Sequence, residues 1–291
     1  MTGKRWHILW LFLLLGGSLQ AQLYQLPEIP EDMDNPVERA DYLMEHYWDH
    51  FQFTDTSWLL QKELVEQAFV DFLQIRPHAS AEAGEAGMIR FLNQALLTDS
   101  LLFAFFTELS DKYLYDPDSP MYNEELYIPV LRYICSSPKI GVLDKVRPQY
   151  QLEWALKNRI GSVAADFTYA LADGEKKTLS ALPDRFTLLF FNDPDCERCQ
   201  RIKKELEDSP LLWEKLMGQL TILAVYTGDE PDIWRQEWYP ASWINGCDVR
   251  EGIHKKQLYD LRVMPALYLL DGKGKVILKN ASVSAVEEFF N

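Results

Sequence analysis

At 291 residues the chain is long enough for about two domains. Hydrophobic residues make up 47% of it and aromatic residues 13%, and this composition excludes a disordered protein. The formal charge is −15, and it becomes −17 without the first 21 residues, because 27 basic residues then remain against 44 acidic ones. A chain this acidic is unsuited to bind nucleic acid.

The first 21 residues predict a secretory signal peptide. Lys4 and Arg5 form a positive start, Ile8–Leu15 is apolar, and Leu19–Ala21 matches the pattern of a cleavage site before Gln22. An uncleaved membrane anchor stays open as an alternative, although the apolar stretch is shorter than the ~20 residues of a spanning helix. We expect a periplasmic or otherwise exported protein with no stable membrane span after cleavage.

Residues 22–35 are predicted as an N-terminal extension and residues 36–160 as an all-helical domain. Apolar residues recur there at three- and four-residue steps, which places them on one face of a helix. The first helix carries Ala40, Leu43, Met44, Tyr47, Trp48 and Phe51 on that face, and the second carries Leu59, Leu60, Leu64, Ala68, Phe69 and Phe72 behind a cap at Thr56 or Ser57. Further helices are predicted over 82–97, 100–114, 123–135 and 143–157, with proline-rich breaks between several of them.

From residue 161 onward the pattern changes to short apolar runs that alternate with helical segments, which indicates an α/β sheet. The predicted strands are 167–171, 186–191, 220–226, 266–270 and 275–278, and a closing helix covers 283–290. Asp271-Gly272-Lys273-Gly274 is a hairpin signal, so the central sheet should be mixed.

Cys196 and Cys199 are two residues apart, where an apolar strand gives way to an amphipathic helix. Such a pair is typical of a redox-active dithiol, in which a thiolate attacks and a second thiol resolves the mixed disulfide. We predict Cys196 as the attacking residue, Cys199 as the resolving residue, and a disulfide between them in the oxidised form. Asp193 is predicted as the helix N-cap and Pro194 as the first helical residue, which would put Cys196 in the first turn.

Residues 161–291 resemble the exported disulfide reductases of the thioredoxin-like family. The resemblance rests on Gly161–Thr168, Asp173-Gly174, Leu179-Ser180, Leu188–Asn192, the cysteine motif and Met264-Pro265. The preceding half resembles an uncharacterised helical domain found ahead of such domains in secreted proteins of Bacteroides-type bacteria. It carries His46–Asp49, Tyr113–Pro117 and Asn123–Tyr127.

The resemblance implies that Pro265 is a cis-proline beside the two sulfurs and that Met264 shapes a substrate groove. Asp195 stands where the family has a tryptophan, and Arg198 stands where it has a proline. Together with Glu197, these two residues are expected to modulate the dithiol. The family's buried acid falls near Phe190, so this chain lacks it.

Several alternatives to a redox-active dithiol, and several interpretations of other residues, stay open. The cysteine pair could be half of a zinc site or a merely structural disulfide, and Cys135 and Cys247 could form a bridge or be a buried thiol and a loop thiol. His46 and His50 could share a helix face and bind zinc, and the aromatic residues of the first half could line a groove rather than a core. Partner recognition is assigned to four aromatic residues of the second half: Trp234, Trp238, Tyr239 and Trp243.

The sequence therefore predicts a thiol-disulfide oxidoreductase that needs no bound cofactor or metal. Its partners would be exported protein disulfides or dithiols and an upstream electron donor or acceptor. The alternative is a non-catalytic thioredoxin-fold binding or scaffold module of an exported complex.

Overall fold

The computed structural model describes residues 25–183, 185–212, 216, 218–248 and 251–291. The predicted signal peptide and the start of the predicted N-terminal extension lie outside these residues. The chain divides into two compact units on either side of the bond between Gln149 and Tyr150. The predicted domain boundary at 160/161 stays a prediction.

The first unit is helical, as predicted. Its helices are α1 (Pro36–His46), α2 (Lys62–Leu73), α3 (Ala81–Thr98), α4 (Ser100–Leu114) and α5 (Glu124–Ser136), and a sixth, α6 (Val146–Ala155), crosses into the second unit. Short 3-10 helices lie at Thr56–Leu60, Arg76–His78 and Leu143–Lys145.

Polar side chains at the breaks start these helices by binding free backbone amides. Asp99 Oδ1 accepts from the amides of Leu101 and Leu102 at 2.8 and 2.9 Å, and Asn123 Oδ1 accepts from that of Leu126 at 3.0 Å. The predicted cap at Thr56 or Ser57 is wrong. Asp55 Oδ1 accepts from the Ser57 amide at 2.9 Å and caps the short 3-10 helix, so α2 begins only at Lys62.

The aromatic residues of the first unit form a packed core, not an open groove. Trp48, Phe72, Phe91 and Phe106 are at most 5% exposed. Their ring centroids lie close, with 5.1 Å from Trp48 to Phe106 and 5.1 Å from Phe91 to Phe106. Edge-to-face packing at such distances stabilises a helical core beyond the burial of apolar area.

The predicted face shared by His46 and His50 does not form, because α1 ends at His46. The Nδ1 atom of His46 lies 2.8 Å from Asp49 Oδ2, so this ring pairs with a neighbouring carboxylate. Within the part of the chain that the structure describes, no group of three or more His, Cys, Asp or Glu side chains could hold a metal ion.

The second unit contains one mixed sheet of seven strands, as the fold class predicted. The strands are β1 (Thr168–Ala170), β2 (Lys176–Thr178), β3 (Phe186–Asn192), β4 (Leu220–Tyr226), β5 (Ile244–Asp248), β6 (Ala266–Leu270) and β7 (Val276–Lys279). The helices are α7 (Glu197–Asp208), α8 (Pro231–Gln236), α9 (Gly252–Lys255) and α10 (Val283–Phe290). The strand order is β2-β1-β5-β4-β3-β6-β7.

Strands β3, β4 and β5 are parallel and the other pairings are antiparallel. Alternate residues of the central strand β3 enter different core clusters, Leu189 and Phe191 on one side and Leu188 and Phe190 on the other. All four are fully buried. The carboxyl ends of β3 and β4 therefore meet at one edge of the sheet, where α/β folds commonly place their functional groups.

Strand β5 was not predicted from the sequence, because Asn245 and Gly246 are poor strand formers. The glycine is required by a close approach: a Cβ atom at residue 246 would lie 2.7 Å from the ring of Tyr169 on β1. Cys247, predicted in a loop, is buried on this strand.

The end of α6 is held by a side chain from the far edge strand of the sheet. Lys279 Nζ on β7 donates to the carbonyl oxygens of Trp154, Ala155 and Lys157 at 3.3, 3.1 and 2.8 Å. These are carbonyls that a helix end leaves without partners inside the helix. Among the described residues, no helix has the length and apolar character needed to cross a membrane.

Candidate active site

The two cysteines lie just beyond the carboxyl end of β3. The strand ends at Asn192, a turn follows, and α7 begins at Glu197. In this turn the Asp193 carboxylate accepts from the Asp195 amide at 3.0 Å, and the Asp193 carbonyl accepts from the Cys196 amide at 3.1 Å.

Because of this turn, the predicted helix start at Asp193 and Pro194 is wrong. Cys196 is itself the N-cap of α7 and is partly buried. Its Sγ atom accepts a hydrogen bond from the Cys199 amide at 3.1 Å. The sulfur thus takes the place that an oxygen of Ser, Thr or Asp takes at most helix starts, and it lies at the positive end of the helix dipole.

Cys199, one turn into the helix, is 2% exposed. Burial raises the pKa of its thiol, and the neighbouring Cys196 sulfur acts in the same direction. Both cysteines are free thiols in the structure, as are Cys135 and Cys247. The disulfide of the oxidised form therefore stays a prediction.

The structure brings the predicted substrate-binding residues to the dithiol. The peptide bond between Met264 and Pro265 is cis, as the resemblance implied. The Met264 carbonyl oxygen lies 4.0 Å from Cys196 Sγ. The cysteine pair and the Met264-Pro265 segment are thus adjacent, although Met264 lies 68 residues after Cys196 in the chain.

Three residues are expected to modulate the dithiol. One precedes Cys196, two stand between the cysteines, and the three differ in exposure. Asp195 and Glu197 are exposed, and Arg198 is partly buried. Their influence on the chemistry stays a prediction.

A polar cluster that was not predicted lies against the first turns of α7; we call it the Lys203 cluster, and it comprises Lys203, Glu237, Tyr239 and Asn192. Lys203 is 9% exposed, forms an ion pair with Glu237, and donates to the Trp238 carbonyl at 2.9 Å. Its Nζ atom lies 5.0 Å from the centre of the Tyr239 ring. The Tyr239 hydroxyl donates to Asn192 Oδ1 at 2.5 Å.

The sequence contained a signal for this cluster. Lys203 falls four residues after Cys199 and three before Leu206, on the face of α7 that is otherwise buried. The neighbouring Lys204 lies off this face and is exposed.

The four aromatic residues assigned to partner recognition do not share one environment. Trp234 and Trp243 are 2% and 7% exposed and belong to the core, and Tyr239 belongs to the Lys203 cluster. Trp238 is 64% exposed. The Trp238 carbonyl oxygen accepts a hydrogen bond from Lys203 of α7. Partner recognition stays a prediction for the Trp238 ring alone.

The fold, the dithiol at a helix start and the adjacent cis-proline define a thioredoxin-like domain. Family models agree with this description. Residues 174–289 match the model described as a thioredoxin-like domain, and residues 16–158 match the domain of unknown function DUF5106. No curated protein matches the chain.

One solved structure is similar over nearly the whole chain. A thioredoxin-like protein from Bacteroides caccae is 41% identical, with a TM-score of 0.85 over 91% of this chain and 97% of that one. The C-terminal domain of an uncharacterized protein from Bacteroides fragilis is 39% identical over 45% of this chain and 96% of that one, with a TM-score of 0.44. By the first of these similarities, the chain belongs to the family of thioredoxin-like proteins, and its own first half matches DUF5106.

Proposed function

We propose that the protein is a thiol-disulfide oxidoreductase that acts on exported proteins through Cys196 and Cys199. The observation that carries the proposal is the unequal exposure of two adjacent sulfurs. Cys196 is accessible at the start of α7, whereas Cys199 is 2% exposed and within one helical turn of it. A substrate can therefore reach the first sulfur and not the second.

This arrangement supports a two-step exchange. The Cys196 thiolate attacks a substrate disulfide, a bond forms between Cys196 and one substrate sulfur, and the other substrate sulfur leaves as a thiolate. Cys199 then loses its proton and attacks Cys196, which forms the intramolecular disulfide. The remaining substrate sulfur departs and takes up a proton, so the substrate disulfide is reduced by two electrons and the dithiol is oxidised.

An upstream electron donor would return the Cys196–Cys199 disulfide to the dithiol after each reduction of a substrate. In the reverse reaction, an electron acceptor would return the dithiol to the disulfide. We propose a periplasmic or otherwise exported location because of the signal-like start of the sequence. The proposed substrates are exported proteins with disulfides or dithiols.

The test is a covalent trap. In a Cys199→Ser variant the first step proceeds and the second cannot, so mixed disulfides with substrate proteins should accumulate. They should disappear on treatment with a reducing agent. The matched control is Cys196→Ser, which keeps a polar N-cap and cannot form the first bond.

The rival function is a binding module in which the cysteine pair only stiffens the turn. It predicts that a Cys196→Ala/Cys199→Ala variant is less stable and still binds its partner in a pull-down. The oxidoreductase proposal fails if Cys199→Ser traps nothing and Cys196 of the reduced wild type also resists alkylation.

A further inference from the structure

The second step of the exchange poses an electrostatic problem at Cys199. This thiol must lose its proton to attack, yet burial raises its pKa. Strand β3, which leads into the cysteine turn, carries no ionisable side chain, and its Phe190 is fully buried in the same core cluster as Leu206 of α7. The ionic groups near Cys199 therefore have to come from other elements.

The Lys203 cluster supplies such groups from two elements. Lys203 and Cys199 are four residues apart on α7 and both buried, so they share its buried face. Glu237, beyond the end of α8, accepts from Lys203 and also from Gln200 Nε2 at 3.1 Å. Gln200 follows Cys199 directly and donates to the Pro194 carbonyl at 2.9 Å, so the carboxylate lies against the cysteine turn.

The Tyr239 ring joins the ion pair to the loop that precedes the cysteines. Its face meets Lys203 Nζ, and its hydroxyl donates to Asn192, the residue before Asp193. Burial raises the pKa of Tyr239, and negative charge on Glu237, Cys199 and Asp193 acts in the same direction, which agrees with a phenol near all three. Among the described residues, the titratable and charged groups around Cys199 thus include Cys196 and Asp193 from the turn, Lys203 from α7, and Glu237 and Tyr239 from the segment after α8.

We propose that the partly buried Lys203–Glu237 ion pair controls how readily Cys199 becomes a thiolate, and thereby the rate of the second step. The Lys203 ammonium group favours the thiolate, and the Glu237 carboxylate opposes it. The proton that leaves Cys199 ends on the departing substrate thiol, so the step needs no further acceptor. The expected effect on the rate of the second step rests on the proposed function, whereas the expected effect on the ionisation of Cys199 does not.

The first measurement is the titration of Cys199 in the full chain, followed by NMR of isotope-labelled cysteine and assigned with Cys199→Ser. Lys203→Met removes the ammonium group and leaves Glu237 unpaired, so the midpoint should rise by about one unit. Glu237→Gln should lower it by a similar amount. Lys203→Met/Glu237→Gln should return it close to the wild-type value, and this double variant separates charge effects from damage to the fold.

The second measurement is the rate of resolution. The reagent dithiobis(nitrobenzoate) forms a mixed disulfide with Cys196 and releases one coloured thiolate, and attack by Cys199 releases the second. Lys203→Met should slow the second release about tenfold at neutral pH, and Glu237→Gln should accelerate it by a comparable factor. Lys204→Met and Glu230→Gln, exposed residues on the same helix and on the loop before α8, are matched controls that should leave both rates unchanged.

The inference is overturned if the Cys199 midpoint is the same in both single variants and the wild type. It is also overturned if both single variants move the midpoint in the same direction, because that pattern reports structural damage. If the wild-type dithiol never resolves a mixed disulfide, the proposed function fails, and the titration still decides the electrostatic inference.

Discussion

Burial of the Cys199 thiol should make the reduced protein lose stability at alkaline pH. The pKa of this thiol is raised to about 12 in the folded protein, mainly because burial disfavours the thiolate. In the unfolded chain an ordinary cysteine has a pKa of ~8.5. Between these two values the unfolded state releases a proton that the folded state keeps.

The sign follows from this difference in bound protons. The contribution of the Cys199 thiol to the free energy of unfolding is fully present below its pKa in the unfolded chain. It is lost as the pH rises toward its pKa in the folded protein. Each pH unit within that window removes about 1.4 kcal/mol of the free energy of unfolding. From about pH 8 to about pH 10 the loss that is due to Cys199 should therefore amount to roughly 2 kcal/mol.

The assay is urea unfolding under reducing conditions at several pH values, with two variants compared. Cys196→Ser retains Cys199, and Cys196→Ser/Cys199→Ala lacks it; both keep an oxygen at the N-cap and remove titration of Cys196. The free energy of unfolding should fall more steeply with pH in the first variant. A difference between the two variants that stays constant from about pH 8 to about pH 10 would refute the reasoning.

Two further predictions concern the framework of the thioredoxin-like unit. Lys279→Met removes the ammonium group that binds three carbonyls at the end of α6, and it should cost about 1 to 3 kcal/mol in urea unfolding; Lys273→Met, in the exposed hairpin, is the control and should cost less than about 0.5 kcal/mol. Gly246→Ala drives a methyl group into the buried ring of Tyr169 and should lower stability by about 1 to 3 kcal/mol, whereas a Gly246→Ala protein as stable as wild type would contradict the close packing of β5 on β1.

Local chemistry made much of this architecture predictable. The hairpin at Asp271 is an example: its carboxylate accepts from the amides of Lys273 and Lys275 at 2.8 Å each, and Gly274 adopts a positive φ of 75°. Asp and Gly both favour turns, so this hairpin is indicated by the residue types of the turn itself. The Cys196/Cys199 spacing is equally local, so the dithiol could be found from the sequence.

Features that depend on distant residues could not be predicted. Glu237 binds Lys203 from a segment 34 residues away, and the helical pattern of α7 gives no hint of that partner. The strand β5 depends on the ring of Tyr169, which lies on a strand far earlier in the chain. The helix start was misplaced for a subtler reason: Asp193 has the side chain of an N-cap, but it closes a turn before the helix instead.

Reduction of insulin disulfides tests the central claim most directly. With dithiothreitol as electron donor, the wild-type protein should accelerate the precipitation of insulin chains, because Cys196 attacks and Cys199 resolves. Cys196→Ser should show only the uncatalysed rate, and Cys135→Ser/Cys247→Ser should retain the wild-type rate. Equal precipitation with wild type and Cys196→Ser would contradict a catalytic dithiol at the start of α7.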